Sequence, residues 1–537
     1  MRPCTPVDTD GNGIADGFED PSNPDDDGDG IADSVENAGA PGICSPVDSD
    51  GDGVFDFADI DSDNDGLTDA EEAALGTDPR NRDTDGDGVT DLAEVRGSGT
   101  DPRDPTSTIP ATDFFVVLPY NGAMERRPLR FGTNITKADV FFLMDTTGSM
   151  YEEVGNVQRG METVIIPGVA SMIRDVQFGA GGFDDFPVGE HGGGTDSPYY
   201  HLIDIVPYEQ DLGQMNGPMW PGSDVRQFAA SGANGTRDVI DAVRAYPRHS
   251  GGNGCESGVE ALFQTATGAG VTWRGGAIPA KTCPSIPDEM GVRRGYPCFR
   301  PGALPIIVYV SDAPLHDPVP AGWPLNTAEG PSCTYTDVPT AATYAMALDA
   351  LRSIGARVLG LSTDYIPSNP SYPATGHICN IARDTGAVRF DGSPLCFELG
   401  PSGTMITSQV VDAIAQLVGG TPQDVGTRTE NVPGNPDDFN ATLFIKAIVP
   451  VEGYGPRGEV GPMPGVTYTS KDDRAFFNVI PGTQVEFRVE FYNDVRPTPA
   501  RAEIHRARII VVGNGVADLD ARNVYIVVPP EGGVILI

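Results

Sequence analysis

The stretch Asp139-Val-Phe-Phe-Leu-Met-Asp-Thr-Thr-Gly-Ser-Met150 leaves few options for the fold around it. A run of large apolar residues ends in an acid, and two hydroxyls follow at alternate positions: Asp145, Thr147 and Ser149. So short an apolar run, rich in aromatic residues, reads as a strand buried on both faces, as in a parallel sheet. Gly148 and the small hydroxyl residues then let the chain turn sharply into a helix. That puts Asp145, Thr147 and Ser149 at the carboxyl end of a central strand, where open α/β sheets place their ligands. One carboxylate and two neutral oxygens are hard ligands of low total charge. Mg²⁺ suits them, because it wants six oxygens at close range and keeps several waters. The plain alternative is an ordinary Ser/Thr cap for the following helix.

A chain of 537 residues has room for roughly three to four domains. No apolar run is long enough to cross a bilayer. The net charge is −42, with about 25 of those charges in the first 105 residues, which excludes nucleic acid as a partner and calls for bound cations. The chain opens Met-Arg-Pro-Cys-Thr without a charged-then-apolar secretion signal, so the expectation is that a signal has been removed or that this is a shortened form. The 8 cysteines lack C-x-x-C spacing and fit disulfides of an oxidising compartment. Spacing alone leaves the connectivity open; the expected pairs are Cys4 with Cys44, Cys283 with Cys298, Cys379 with Cys396, and Cys255 with Cys333.

The acidic arm, residues 1–108, is strictly patterned. Asp8, Asp10, Asn12, Gly13, Ile14, Asp16 and Glu19 occupy positions 1, 3, 5, 6, 7, 9 and 12 of a twelve-residue loop. The pattern returns at Asp25, Asp27, Asp29, Gly30, Asp33 and Glu36, at Asp61, Asp63, Asp65, Gly66, Asp69 and Glu72, and at Asp83, Asp85, Asp87, Gly88, Asp91 and Glu94. A variant, Asp48, Asp50, Asp52, Gly53, Asp56 and Asp59, closes on the shorter Asp. Alternating oxygens, a Gly for the sharp turn, a backbone carbonyl and a closing carboxylate make a cage for Ca²⁺. A disordered acidic tail is the competing reading, and five copies in register argue against it. Flanking helices of EF-hand length are missing; Leu75-Gly-Thr-Asp-Pro79 and Gly99-Thr-Asp-Pro102 separate loops instead. Residues 6–105 resemble thrombospondin type 3 repeats in their bacterial form. The resemblance implies a calcium-stiffened stalk whose bound ions replace a hydrophobic core.

From residue 137 strands and helices alternate in the manner of a doubly wound sheet. Strands are expected at 176–183, 199–207, 306–312 and 357–362, and helices at 151–174, 256–267, 340–354, 376–384 and 405–418. Ile306-Ile-Val-Tyr-Val-Ser-Asp312 is a second buried strand ending in an acid. Gly251-Gly-Asn-Gly-Cys-Glu-Ser-Gly258 sets Glu256 at a helix start, where a carboxylate also caps free N–H groups. Phe183-Asp-Asp-Phe-Pro187 closes another strand. With these residues in place, the segment 137–425 resembles a von Willebrand factor A domain, and within that family the integrin β I-like domain with its metal-ion-dependent adhesion site. The resemblance implies that Thr147 and Ser149 are direct Mg²⁺ (or Mn²⁺) ligands, that Asp145 and Asp312 hold metal-bound waters, and that Glu256 touches the central metal and a flanking one. Asp185 and Asn253 match other ligands of that flanking site, with Asn253 in place of the usual Asp. Glu152 and Glu153 stand where the family carries an acidic pair for a second flanking metal, as Glu rather than Asp. Loops 216–235 and 283–298 have no counterpart. An open metal position implies a protein partner that offers a carboxylate.

Phe114-Phe-Val-Val-Leu-Pro119 and Pro128-Leu-Arg-Phe-Gly132 read as strands, and 442–450, 484–492, 507–512 and 523–528 follow the central domain with Pro/Gly turns. Two strands alone are not stable, so 109–136 and 438–537 are expected to share one β-sandwich, with the α/β domain inserted in it. The alternative is a separate sandwich following that domain. The fold class is therefore multidomain: calcium-stapled repeats, a doubly wound α/β domain and a β-sandwich. Two functions fit: an extracellular or surface adhesion protein on a calcium-stiffened stalk, or a structural subunit whose metal site grips a neighbouring copy. An enzyme is not expected: there is no H-E-x-x-H, no G-x-S-x-G and no Ser/His/Asp set. His316 is the one histidine expected near the site, as a solvated loop residue.

Overall fold

The central strand runs from Lys137 to Asp145, and every residue from Ala138 onward in it is buried. In this computed structural model the residues described are 4–110, 112–207, 237–249, 251–252, 254–286, 291–316, 333, 335, 337–363, 374–399 and 403–530. Among them a six-stranded sheet is ordered Cys396–Glu398, Arg357–Ser362, Leu304–Ser311, Lys137–Asp145, Asp175–Phe183, Tyr200–Pro207. Neighbours are parallel except Tyr200–Pro207, which lies antiparallel to Asp175–Phe183. That last pair departs from strict strand–helix alternation, because residues 184–199 return as a loop rather than a helix. From Lys137–Asp145 the chain builds one side of the sheet, then comes back to build the other from Leu304–Ser311. The strand order reverses between those two neighbours, and Asp145 and Asp312 end up side by side at the crevice this creates.

The helix expected over 151–174 is interrupted. Tyr151–Gly160 is α-helical, Met161–Ile165 widens into a π turn, and Ile166–Ala170 resumes the α-helix. Pro167 has no N–H to give to the carbonyl four residues back, and the wider turn absorbs the mismatch. Gly160 sits at this junction against the last helix, Ile406–Gly420. A Cβ there would lie 2.0 Å from Thr407 Cγ2. Gly160→Ala is therefore expected to lower stability by about 1–3 kcal/mol through overpacking, although alanine is the better helix former by about 1 kcal/mol. Urea unfolding in Ca²⁺-containing buffer reads this directly. An unchanged midpoint would mean that the last helix slides outward at no cost.

Two further sheets face one another. The larger is ordered Phe114–Val117, Ala517–Val528, Glu503–Gly513, Gln423–Asn431, Phe476–Val479, Ser470–Lys471, and the smaller Ile445–Tyr454, Gln484–Phe491, Glu125–Gly132. Phe476 meets Phe487 edge-on across the gap at 5.3 Å, and Phe114 meets Phe491 at 5.6 Å. Phe114–Val117 pairs parallel with the last strand, and Glu125–Gly132 pairs antiparallel with Gln484–Phe491. The α/β unit thus lies between the two parts of the chain that build these sheets. Residues 442–444, expected as strand, form a 3₁₀ turn spanning Ala441–Phe444, because the Asn440 side chain accepts from the Thr442 N–H at 3.1 Å. Four disulfides join Cys4–Cys44, Cys255–Cys333, Cys283–Cys298 and Cys379–Cys396. No helix among the described residues is long and apolar enough to cross a membrane.

The arm has only short helices, Asp33–Glu36 and Asp69–Leu75 among them, each starting at position 9 of its loop. It is not a free stalk over its whole length. Leu67, Leu92 and Ala93 pack against Ile504, Tyr525 and Val527 of the larger facing sheet and against Ala502 just before it. Gly66 permits the approach: a Cβ there would come within 2.5 Å of the Ala502 carbonyl oxygen.

Candidate metal-binding site

At the crevice the hydroxyl of Thr147 does not cap the following helix; it donates to Asp145 Oδ1 at 2.7 Å, joined by the Thr147 N–H at 3.0 Å. Ser311, at the end of the neighbouring strand, donates to Asp145 Oδ2 at 2.7 Å. Ser149 donates to Asp312 Oδ1 at 3.0 Å and lies 3.4 Å from the Thr147 hydroxyl. Asp145 is fully buried, whereas Ser149 is exposed and Asp312 partly so. The group is a buried acid with an open rim.

Glu256 joins from the far side. It does not cap the helix Gly258–Thr267; its backbone forms a short bridge with Leu315, with its N–H on the Pro314 carbonyl at 2.9 Å. That places its buried side chain among the other acids, where Oε2 has no hydrogen-bond partner. Burial and the nearby Asp312 push Asp145 up to about 8. Burial, then Asp145 and Asp185, hold Glu256 far above the usual carboxylate range. Several carboxylates packed this way without a cation repel one another, and a divalent ion removes both the repulsion and the orphaned oxygen. The donor set fits Mg²⁺ or Mn²⁺.

The flanking acids separate. Glu153 turns inward, buried, with Oε2 unpartnered, and feels Asp312. Glu152 turns out to solvent, so the two do not act as an inward-facing pair. Asp184 and Asp185 also part company. Asp184 is tied on all sides: it accepts from Thr146 Oγ1 at 2.5 Å and lies 2.6 Å from His249 Nδ1, while its carbonyl takes the Ser257 hydroxyl at 2.7 Å. This fixes the turn after the central strand to its neighbours. Asp185 instead pairs with His316 Nε2 at 2.8 Å and accepts from the Tyr335 hydroxyl. His316 is therefore a buried partner of an acid and not a solvated loop residue, and His191 and His249 lie in the same region. Asn253 and the loop 216–235 lie outside the described residues.

The arm carries a second kind of site. In the loops at 8, 25 and 83 the position-1 carboxylate accepts from the N–H groups three and five residues on, as Asp83 does from Gly86 at 2.8 Å and Gly88 at 2.9 Å. Positions 3 and 5 each spend one oxygen on a backbone N–H two residues on. The remaining oxygens of Asp27, Asp29, Asp63, Asp85 and Asp87, and both oxygens of Glu36 and Glu94, are buried without a partner. Asp25, Asp27 and Asp29 each bring one oxygen within 4.8 Å of the others, as do Asp48, Asp50 and Asp52. An acceptor-only cage with its inner oxygens unmet fits Ca²⁺. At position 9, expected as a ligand, Asp16, Asp56, Asp69 and Asp91 accept with both oxygens from the N–H and hydroxyl of position 2, bracing the loop, and Asp69 also brings one oxygen within 4.8 Å of Asp29 and Glu36. In the second loop Asp33 accepts from the Asp26 N–H and keeps Oδ2 unpartnered.

Sequence reasoning missed Ser311, His191 and Tyr335. Ser311 carried a signal, a hydroxyl directly before the acid that ends a buried strand. The other two reach the site from loops whose path no local pattern reveals.

Residues 25–39, 61–81 and 83–105 match the bacterial TSP3 repeat family. No curated protein matches the chain. Among solved structures, a von Willebrand factor type A protein from Catenulispora acidiphila superposes at 11% identity and a TM-score of 0.28, over 77% of this chain and 72% of that one. The pilus adhesin SpaC from Lactobacillus rhamnosus GG, in its open conformation, gives 12% identity and 0.28, over 77% of this chain and 46% of that one. The human COPII-coat protein Sec24c gives 10% and 0.26, over 75% and 46%. Scores this low say nothing about function, and the site's own geometry has to carry it.

Proposed function

We propose that this chain is a secreted or surface-displayed adhesion protein without catalytic activity, which binds an acidic group on a protein partner through a divalent cation. The observation that carries the reading is the cluster of Asp145, Asp312 and Glu256 at the strand-order reversal, buried at its base and open at Ser149. Thr147 and Ser149 are the neutral oxygens that would hold Mg²⁺ or Mn²⁺ directly, with the three carboxylates supplying charge around it. The bound ion would supply a coordination position for an outside carboxylate oxygen. Asp145 keeps its oxygens oriented through Thr147 and Ser311, so the cluster is pre-set before any ligand arrives. The negative surface opposes an acidic partner at long range, and contact then depends on the metal. The calcium-binding arm supports display away from the surface that bears the protein.

The test is calorimetric titration of Mg²⁺ into the full chain in Ca²⁺-saturated buffer, beside Asp145→Ala. Calcium keeps the arm folded in both. We expect one Mg²⁺ site in the parent chain and none in the variant, with acidic peptides binding the parent only when Mg²⁺ is present. Two superimposable titrations would sink the reading.

A further inference from the structure

Next to the oxygen-only cluster lies a group of different chemistry. Asp185, His191 and His316 each bring one ligand atom within 4.8 Å of the other two. Asp185 and His316 have no exposed side-chain surface, and His191 has little. The way each is held is informative. The Cys333 carbonyl, 3.0 Å from His316 Nδ1, can only accept, so the hydrogen sits on Nδ1 and Nε2 is turned to Asp185 Oδ2. His191 Nε2 lies 2.9 Å from the Asp337 carboxylate. Asp185 Oδ1 is taken by the Phe186 N–H at 2.7 Å and by the Tyr335 hydroxyl, which leaves Oδ2 facing His316. Imidazoles that bind metals characteristically give their other N–H to a carbonyl or a carboxylate, and such acceptors stand beside one nitrogen of each ring, the Cys333 carbonyl at His316 and the Asp337 carboxylate at His191.

The rings are fixed as well. Tyr335 stacks on His316 at 4.2 Å, and His191 stands edge-on to both, at 5.0 Å from His316 and 4.9 Å from Tyr335. The Cys255–Cys333 disulfide anchors the segment that carries Tyr335 beside Glu256. Two imidazoles and one carboxylate suit zinc and its transition-metal neighbours. Mg²⁺ and Ca²⁺ prefer all-oxygen sets.

We propose that Asp185, His191 and His316 form a transition-metal site of the Zn²⁺ class, separate from the oxygen-only sites of the arm and the crevice. Zinc there ties the loop after Asp175–Phe183 to the segment that follows Asp312. Because the His316 N–H donates to the Glu256 carbonyl at 2.7 Å, it also braces the wall of the acidic cluster. A small outward movement of His316 opens the present 2.8 Å contact to about the 3.3 Å that two ligands of a tetrahedral zinc require.

The experiment uses the full chain in buffer saturated with Ca²⁺ and Mg²⁺, titrated with Zn²⁺ by calorimetry and with Co²⁺ by visible absorption. The expected result is one equivalent of Zn²⁺, a Co²⁺ spectrum of nitrogen–oxygen ligation, and loss of both in His191→Ala and His316→Ala. Asp337→Ala leaves the three ligands in place and touches only an exposed carboxylate, so folding is not at stake. It should weaken zinc by about 10–100-fold. Asp145→Ala should bind zinc as the parent does, whatever becomes of its Mg²⁺. Three outcomes overturn the proposal. If the parent takes up no zinc, Asp185 and His316 are a plain buried ion pair. If uptake is equal in parent, His191→Ala and Asp337→Ala, the zinc sits on the acidic loops. If Asp145→Ala abolishes it, the site is not separate.

Discussion

Stripping divalent cations from the full chain will unfold residues 4–105 and leave the α/β unit and the facing sheets intact. Apart from the Cys4–Cys44 disulfide and the hydrogen bonds within its loops, the arm has only a small apolar core to hold it. Its buried apolar side chains are Ile14, Ala15, Phe57, Leu67, Leu92 and Ala93, and half of these serve the contact with the neighbouring sheet. Against them stand buried carboxylates. In the loop starting at Asp61, residues Asp61, Asp63 and Asp65 are at most 2% exposed. Burial, then neighbouring acids, pushes Asp63 up to about 9 and Glu72 up to about 10. Saturating one Ca²⁺ site at 1,000 times its Kd stabilises by about 4 kcal/mol, so several filled loops outweigh what so small a core supplies. Hydrogen exchange with and without chelator should show protection collapsing across the loops while the strand Lys137–Asp145 keeps its own. Protection unchanged in the loops would mean that the Asp–backbone hydrogen bonds suffice alone.

The pH dependence follows with a definite sign. In the metal-free arm these carboxylates have folded-state values above the unfolded ones, near 4, so the folded form holds protons that the unfolded chain has released. Metal-free stability is therefore greatest below about pH 4 and falls as pH rises toward 9 or 10. Calcium-loaded protein behaves oppositely, because the ligands must be deprotonated to bind. Melting curves at pH 5 and pH 8 should cross over between the two forms.

How much of this was legible in the sequence depends on whether the information is local. Asp145, Thr147, Ser149 and Asp312 could be placed because an apolar run that stops at an acid marks a strand end, and strand ends of a parallel sheet gather on one edge. The acidic loops were legible because twelve consecutive residues carry the whole pattern, yet the bracing role of Asp16, Asp56, Asp69 and Asp91 was not. It depends on the hydroxyls of Thr9, Ser49, Ser62 and Thr84, which the spacing rule does not weigh. Asp185 was placed in an all-oxygen flanking site; its partners His316 and Tyr335 lie more than 130 residues away and give it different chemistry. The strand Gln423–Asn431 went unread because Gln-Asp-Val-Gly-Thr-Arg-Thr-Glu-Asn has one apolar residue. It becomes a strand by pairing with Glu503–Gly513 along its length. Pairing of that kind is a tertiary property, outside any period-2 pattern.

The second large effect lies at the opposite end of the central strand. Arg300 is almost wholly buried, and its Nε meets Asp139 Oδ1 at 2.7 Å while its N–H meets Oδ2 at 2.6 Å. Nη1 reaches Asp175 Oδ1 at 2.6 Å, and Nη2 donates to the carbonyls of Ala138 and Asp175 at 3.1 and 3.2 Å. One guanidinium thus stitches the starts of Lys137–Asp145 and Asp175–Phe183, and the register it fixes sets where Asp145 emerges. Arg300→Met removes the guanidinium links and leaves the buried Asp139 carboxylate only the backbone N–H of residue 300, for an expected loss of about 3–5 kcal/mol. Asp139→Asn should cost much less, about 1–2 kcal/mol, since Arg300 keeps Asp175 and both carbonyls. The cost of burying Asp139 already exceeds the pull of the guanidinium, holding its carboxyl up at about 6. Without Arg300 that value rises further above the unfolded one, so the fold holds a proton over a wider pH range. The Arg300→Met deficit should then grow by up to about 1.4 kcal/mol per pH unit above the folded value of the parent, and urea unfolding at pH 5 and pH 8 measures it. Equal deficits at the two pH values would mean that Asp139 has found another cation or escaped to water, and that the register is held by the strand pairing alone.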